Sequence, residues 1–201
     1  MLSLRVIIAL LLSASAFGQP ANRQSPVKQE PASILGSSQA GVYRNTYFGF
    51  SYKLPYGWVE RTEQMRPDSG DTAKSLVLLS AFERPPQAEG DAVNPAVLIA
   101  GESASSYPGL KTASEYFGPL TEITTAKGFK VVNEPYDVRA GTKQLVRSDF
   151  RKEAGKATMY QASLVMLERG YVISFTFLGA NEDEVNELVE GLNFSSTRRA
   201  K

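Results

Sequence analysis

Tyr47-Phe48-Gly49-Phe50-Ser51-Tyr52-Lys53-Leu54-Pro55-Tyr56-Gly57-Trp58 reads as a strand that runs into a Pro-Gly turn and presents the chain's only tryptophan. Pro and Gly together punctuate a turn, because one fixes its own φ and the other accepts backbone conformations that side chains resist. Aromatic density rises sharply here and stays high, so the tract marks the start of the folded domain. Some of these rings must be core; Tyr56 and Trp58, beside the turn, are placed to line a rim or groove.

Upstream of the tract the sequence changes character. Met1-Leu-Ser-Leu-Arg5 supplies a short positive n-region, and residues 6–12 form an apolar stretch too short to span a bilayer. Small residues follow, with Ala14-Ser15-Ala16 and Ala16-Phe17-Gly18 each offering a cleavage site, so residues 1–18 read as a secretory signal. An uncleaved anchor is the competing reading. Residues 19–41 are polar and rich in Pro, Ser and Gln, a composition that buries too little apolar area to order itself, and they read as a flexible linker. Residues 42–195 suit one domain with a sizeable core, followed by a basic tail at 196–201 that includes Arg198, Arg199 and Lys201.

Composition removes several kinds of chemistry. The chain has no cysteine, hence no disulfide, thiolate metal site or thiol nucleophile, and no histidine, the residue behind most neutral-pH acid–base catalysis and most zinc or copper sites. Of 22 basic residues one, Arg5, lies in the signal; set against 21 acidic residues, the mature chain is formally neutral. Nucleic-acid binding needs a basic footprint, and none is present at the level of the whole chain.

Strand patterns dominate the domain. In residues 171–178, Tyr171, Ile173, Phe175 and Phe177 fall on one face and Ser174 and Thr176 on the other, the alternation of a strand buried on one side. Residues 158–168 are comparably β-like and reach the 171 strand across a short link at Arg169-Gly170. Residues 143–151 also alternate, with Val146 and Phe150 opposite Lys143, Arg147, Asp149 and Arg151, which predicts a three-strand antiparallel meander. Residues 75–82 and 95–101 add two buried strands around a Pro-rich loop, and 129–138 another, with Glu134-Pro135 at an edge or bend. Two helices are expected. Thr112-Ala-Ser-Glu115 forms a capping box ahead of Tyr116, Phe117, Leu120 and Ile123, with a kink or break at Gly118-Pro119; Asn181 caps a second, with Val185, Leu188, Val189 and Leu192 as its buried stripe.

No catalytic template is complete. Gly101-Glu-Ser103-Ala-Ser105 approaches a nucleophile elbow but lacks the second glycine, and the chain has no imidazole base. Ser25-Pro-Val-Lys28 lies in the linker, where nothing holds a Ser-Lys pair in register. Asp68-Ser-Gly-Asp71 lacks the further ligands of a calcium loop. No phosphate-cradling glycine motif occurs. The charged strand face, with Lys143, Arg147 and Arg151, is a candidate binding surface together with Tyr56 and Trp58, against the plainer reading that outer strands carry charge to stay soluble.

The motif at Phe50-Ser-Tyr-Lys-Leu-Pro-Tyr-Gly-Trp58, followed by strands, a helix, the meander and a last helix, resembles the PsbP and Mog1 fold superfamily over about residues 42–194. The resemblance implies an α+β fold, a mainly antiparallel sheet flanked by helices in an α/β/α sandwich, and a non-catalytic accessory or protein-binding role without a cofactor. Its members serve photosystem assembly, Ran binding and poorly defined exported bacterial functions; the signal argues against a nuclear partner, so the bacterial exported branch fits best. The expectation is therefore an extracytoplasmic domain, periplasmic or secreted, with an envelope or secreted protein as partner and no stable membrane span after cleavage. The alternative is a small-ligand binder or hydrolase using carboxylates or Ser/Lys in a cleft near Trp58.

Overall fold

A computed structural model describes residues 32–66, 75–87 and 92–194. The signal, residues 19–31 of the linker, Asp68 and Asp71, and the basic tail lie outside the described residues. The elements run α1 (Ala32–Leu35), β1 (Ser37–Gln39), β2 (Val42–Asn45), β3 (Phe50–Lys53), β4 (Val59–Glu60), α2 (Thr62–Met65), β5 (Ser75–Phe82) and β6 (Ala96–Ser103). After a single 3₁₀ turn at Ala104–Ser106 come α3 (Phe117–Ala126), β7 (Lys130–Ala140), β8 (Lys143–Ala154), β9 (Ala157–Glu168), β10 (Tyr171–Gly179), α4 (Glu182–Glu190) and β11 (Leu192–Asn193).

All strand pairs are antiparallel. They form a seven-stranded sheet in the order β4-β5-β6-β10-β9-β8-β7 and a four-stranded sheet in the order β1-β2-β3-β11. The meander is as expected, with Phe175 opposite Leu164 and Arg147 opposite Leu164 on its other side. The small sheet is not legible in the sequence, because its strands are two to four residues long and one of them, β11, comes from the far end of the chain.

Successive side chains of a strand point to opposite faces, and in β10 both faces are covered. Ile173, Phe175 and Phe177 enter the main core with Tyr43, Phe50 and Tyr52 of the small sheet and Val185 and Leu188 of α4. On the other face Val172 joins Val165, Tyr116, Phe117 and Leu120, and Leu178 joins Met65, Phe129 and Phe150. The strand is therefore buried on two sides, and the one-sided reading of 171–178 is corrected. Ser174 sits on the second face and is itself buried, covered by a layer that the alternation of Ser and Thr did not announce. The domain is thus α+β, with α4 and the small sheet on one face of the large sheet and α3 on the other.

The folded region also begins earlier than residue 42. Asn45 Nδ2 donates to the Ile34 carbonyl at 2.9 Å and the Tyr43 hydroxyl to the Leu35 carbonyl at 2.8 Å, while β1 pairs with β2. Ile34 is buried. Gly36 lets the chain turn between α1 and β1: its φ is +66°, and a Cβ there would stand 2.6 Å from both the Arg44 carbonyl and the Tyr43 hydroxyl. The linker reading therefore ends ten residues too late, since polar composition cannot reveal backbone groups satisfied by partners downstream.

The bonds of both expected caps form, but only the one at Asn181 caps a helix. The Glu115 carboxylate accepts from the Lys111 and Thr112 amides at 2.6 and 3.1 Å, which lowers its pKa, and the Glu115 amide donates to Thr112 Oγ1 at 3.3 Å. These bonds close a set of turns ahead of α3 rather than its first turn. Gly118-Pro119 opens the helix instead of breaking it, because proline in a first turn gives up an amide that had no partner. At α4, Asn181 Oδ1 accepts from the Glu184 amide at 2.8 Å and Glu184 Oε2 from the Ala180 amide at 2.6 Å. Leu192 belongs to β11 and not to the helix.

Candidate functional site

The β7 strand ends the large sheet and pairs only with β8. Pro135, which has no amide to give, is tolerated at such an edge. The register shifts twice along this pair, between Val131 and Asn133 and between Asn133 and Tyr136, so each interval carries one residue more than its partner strand. Residues 133 and 136 would face opposite sides of a regular strand. The second bulge rephases β7 so that Asn133, opposite Asp149, and Tyr136, opposite Arg147, share one face.

What results is a hydrogen-bonded cluster around one carboxylate. Asp149 Oδ2 accepts from Asn133 Nδ2 at 3.1 Å and from the Tyr136 hydroxyl at 2.9 Å, and Asp149 Oδ1 accepts from Arg147 Nε at 2.7 Å. Arg147 reaches on to α4, donating from Nη2 to Asn186 Oδ1 at 2.7 Å. Burial first, then the bond to Asp149, raises the Tyr136 pKa above the ordinary phenol range. Around the cluster lies a cleft of about 170 Å³, lined by Val132, Asn133, Tyr136, Arg147, Asp149, Phe150, Tyr160, Gln161, Glu182, Val185 and Asn186. Val132 and Tyr136 are exposed at its lip, at 42% and 39%.

The sequence-derived surface does not stay together. Arg147 lines the cleft, whereas Arg151 is exposed beside its register partner Lys130, and Lys143 forms an ion pair with Glu168 at 2.5 Å. The strand face that carries these charges is turned toward α4 and the core, since Leu145 of the same face is buried. Tyr56 and Trp58 stand at the other end of the sheet. Tyr56 is fully exposed and Trp58 is partly buried against the core, on a turn in which the Trp58 amide meets the Pro55 carbonyl at 3.4 Å and Gly57 has φ +83°. Trp58 precedes β4, five strand spacings from β8, or about 24 Å at roughly 4.8 Å per strand. The cleft described above lies at β7, β8 and α4, away from Trp58.

Asn133, Tyr136 and Asn186 escaped the sequence reading, which followed unbroken alternation. The one available signal was Glu134-Pro135, a proline inside a strand pattern. Ser103 and Ser105 lie at the end of β6 with their hydroxyl oxygens 2.8 Å apart, and nothing in that arrangement supplies a base. Among the described residues no cluster of metal-ligating side chains forms, and no helix is long and apolar enough to cross a membrane.

No protein-family model matches the chain, and no curated protein is similar to it. Solved structures are. The solution structure of cyanobacterial PsbP (CyanoP) from Synechocystis sp. PCC 6803 is 16% identical over 85% of this chain and 100% of that one, with a TM-score of 0.49. LpqN, involved in cell envelope biogenesis of Mycobacterium tuberculosis, is 11% identical over 73% and 83%, with a TM-score of 0.39. A protein of unknown function from Pseudomonas aeruginosa is 16% identical over 50% and 68%, with a TM-score of 0.36. At these values the chain is similar to each in outline, and none of them lends it a function.

Proposed function

We propose that this chain is an exported, non-catalytic accessory domain that binds a protein partner through the bulged β7 edge and the cleft beside α4. One observation carries the reading. The polar groups of the cleft are bonded to one another, so they hold a shape, while the apolar side chains at its lip are left exposed. A volume of about 170 Å³ is well below the roughly 300 Å³ at which small-molecule pockets usually begin, and it suits a single anchoring side chain. Residues 1–18, with their positive start, apolar stretch and small-residue cleavage sites, support a place outside the cytoplasm and a partner in the envelope or the medium.

Affinity capture from native envelope with the wild-type chain and with Tyr136→Ala tests the reading. A reproducible protein recovered by the wild type and lost at least tenfold with the variant is the expected result. Equal recovery with both would overturn it.

A further inference from the structure

On the opposite face of the sheet a second polar group is buried, and it has no part in the cleft. Glu102, near the end of β6, is 1% exposed. Its register partner in β5 is Ser75 and in β10 is Val172, which places all three side chains on one face. The segment 104–116 passes over them. Tyr107 donates its hydroxyl to Glu102 Oε2, and its ring meets the Tyr116 ring edge-on, with centroids 5.2 Å apart.

The cluster has more polar atoms than bonds. Glu102 Oε1, the Tyr116 hydroxyl and the Ser75 hydroxyl are all buried without a hydrogen-bond partner of normal geometry. Buried polar atoms are almost always paired, so three orphans around one carboxyl mark a place held together at a cost. Burial raises the Glu102 pKa above the ordinary carboxylate range, against the opposing effects of Tyr107 and Tyr116. Burial first, and Glu102 second, push the Tyr116 phenol far above its own. The groups that face Glu102 are Tyr107 and Tyr116 from the segment, Ser75 from β5 and Val172 from β10, and among the described residues no charged group contributes to its ionisation.

We infer that Glu102 is a proton-operated latch for segment 104–116: with the carboxyl neutral the segment is closed over β6 and β10, and with it ionised the segment lifts and uncovers Val165 and Val172. A neutral carboxyl keeps the Tyr107 bond on one oxygen and places no charge on the other, which is buried without a partner. An ionised carboxyl must regain water, and the route to water is through the segment. That segment is short of regular structure, with one 3₁₀ turn and bonds such as Tyr107 amide to Ala104 carbonyl and Leu110 amide to Tyr107 carbonyl, at 3.0 and 3.1 Å. A covering layer of turns rather than helix or strand is of the kind that opens locally.

The sign follows from the direction of the shift. A carboxyl whose folded pKa is raised contributes stability that is fully present below its unfolded pKa and lost as pH rises through the folded one. Hydrogen exchange of the full chain between pH 5 and 9, with the intrinsic rates divided out, tests the latch. Protection of the 104–116 amides should fall by up to about tenfold per pH unit from the ordinary carboxylate range up to the raised Glu102 pKa and level off above it, while that of α4 stays constant. In Glu102→Gln it should be flat with pH. Tyr107→Phe keeps the ring contact and loses the bond, so protection should fall about fivefold even at pH 5. A flat profile in the wild type overturns the inference even if Glu102→Gln does not fold. So does an unchanged slope in Glu102→Gln, or a parallel loss of protection in α4.

Discussion

Tyr136 and Asp149 lie on neighbouring strands whose register breaks twice, and the Tyr136 hydroxyl still donates to Asp149 Oδ2 at 2.9 Å. The extra residue between Asn133 and Tyr136 brings the phenol to that carboxylate together with Asn133. The pair is thus the point at which the irregularity of β7 becomes a shaped surface.

If the cluster holds that shape, its members are unequal. Asp149→Ala leaves the Arg147 guanidinium without its carboxylate partner, both side chains being mostly buried, and should cost about 3 kcal/mol in chemical denaturation. Tyr136→Phe removes one bond from a partly exposed phenol and should cost about 0.5 kcal/mol. Equal losses would mean that Asp149 is not the centre.

The segment ahead of β2 should behave as part of the domain. Gly36→Ala places a methyl where the Arg44 carbonyl and Tyr43 hydroxyl already stand, at a backbone conformation that side chains resist, and should destabilise by about 2 kcal/mol or more. Thermal unfolding of the variant measures it. An unchanged midpoint would mean that α1 and β1 are dispensable.

Alkaline titration offers a separate check on the same region. Burial raises the Tyr43 pKa to about 12. A raised phenol gives stability that is complete below pH 10 and lost as pH climbs toward 12, about 3 kcal/mol over two units. Tyr43→Phe should show a correspondingly shallower loss over that window in urea unfolding.

The cap of α4 matters because Asn186, on that helix, fixes Arg147. Asn181→Ala removes the acceptor for the Glu184 amide and should cost about 1 kcal/mol.

Much of this architecture could be read directly from local pattern. Residues 171–178 announced a central strand because four large apolar side chains alternate there, and Asn181 announced its helix because a cap needs only the next few residues. What remained hidden depends on partners distant in sequence. Nothing near Tyr52 says that Leu192 will pair with it, and nothing near Ile34 says that Asn45 will satisfy its carbonyl. The charged alternation of β8 was visible, but not that Arg147 of that face would reach Asn186 of α4 while Arg151 stays exposed. The cleft was least legible, since two extra residues in β7 cancel the alternation by which strands are recognised. Phe50 to Trp58 gave a turn and a fold outline, and Trp58 turned out to stand far from the cleft.

Site-specific photo-cross-linking from Val132 tests the docking claim most directly. With the probe at Val132 in native envelope, one reproducible protein adduct should form and should disappear when Tyr136→Ala is combined with it. The same probe at Tyr56, more exposed than Val132 and at the far end of the sheet, should not give that adduct. Identical adducts from Val132 and Tyr56, or none from Val132, would contradict the account.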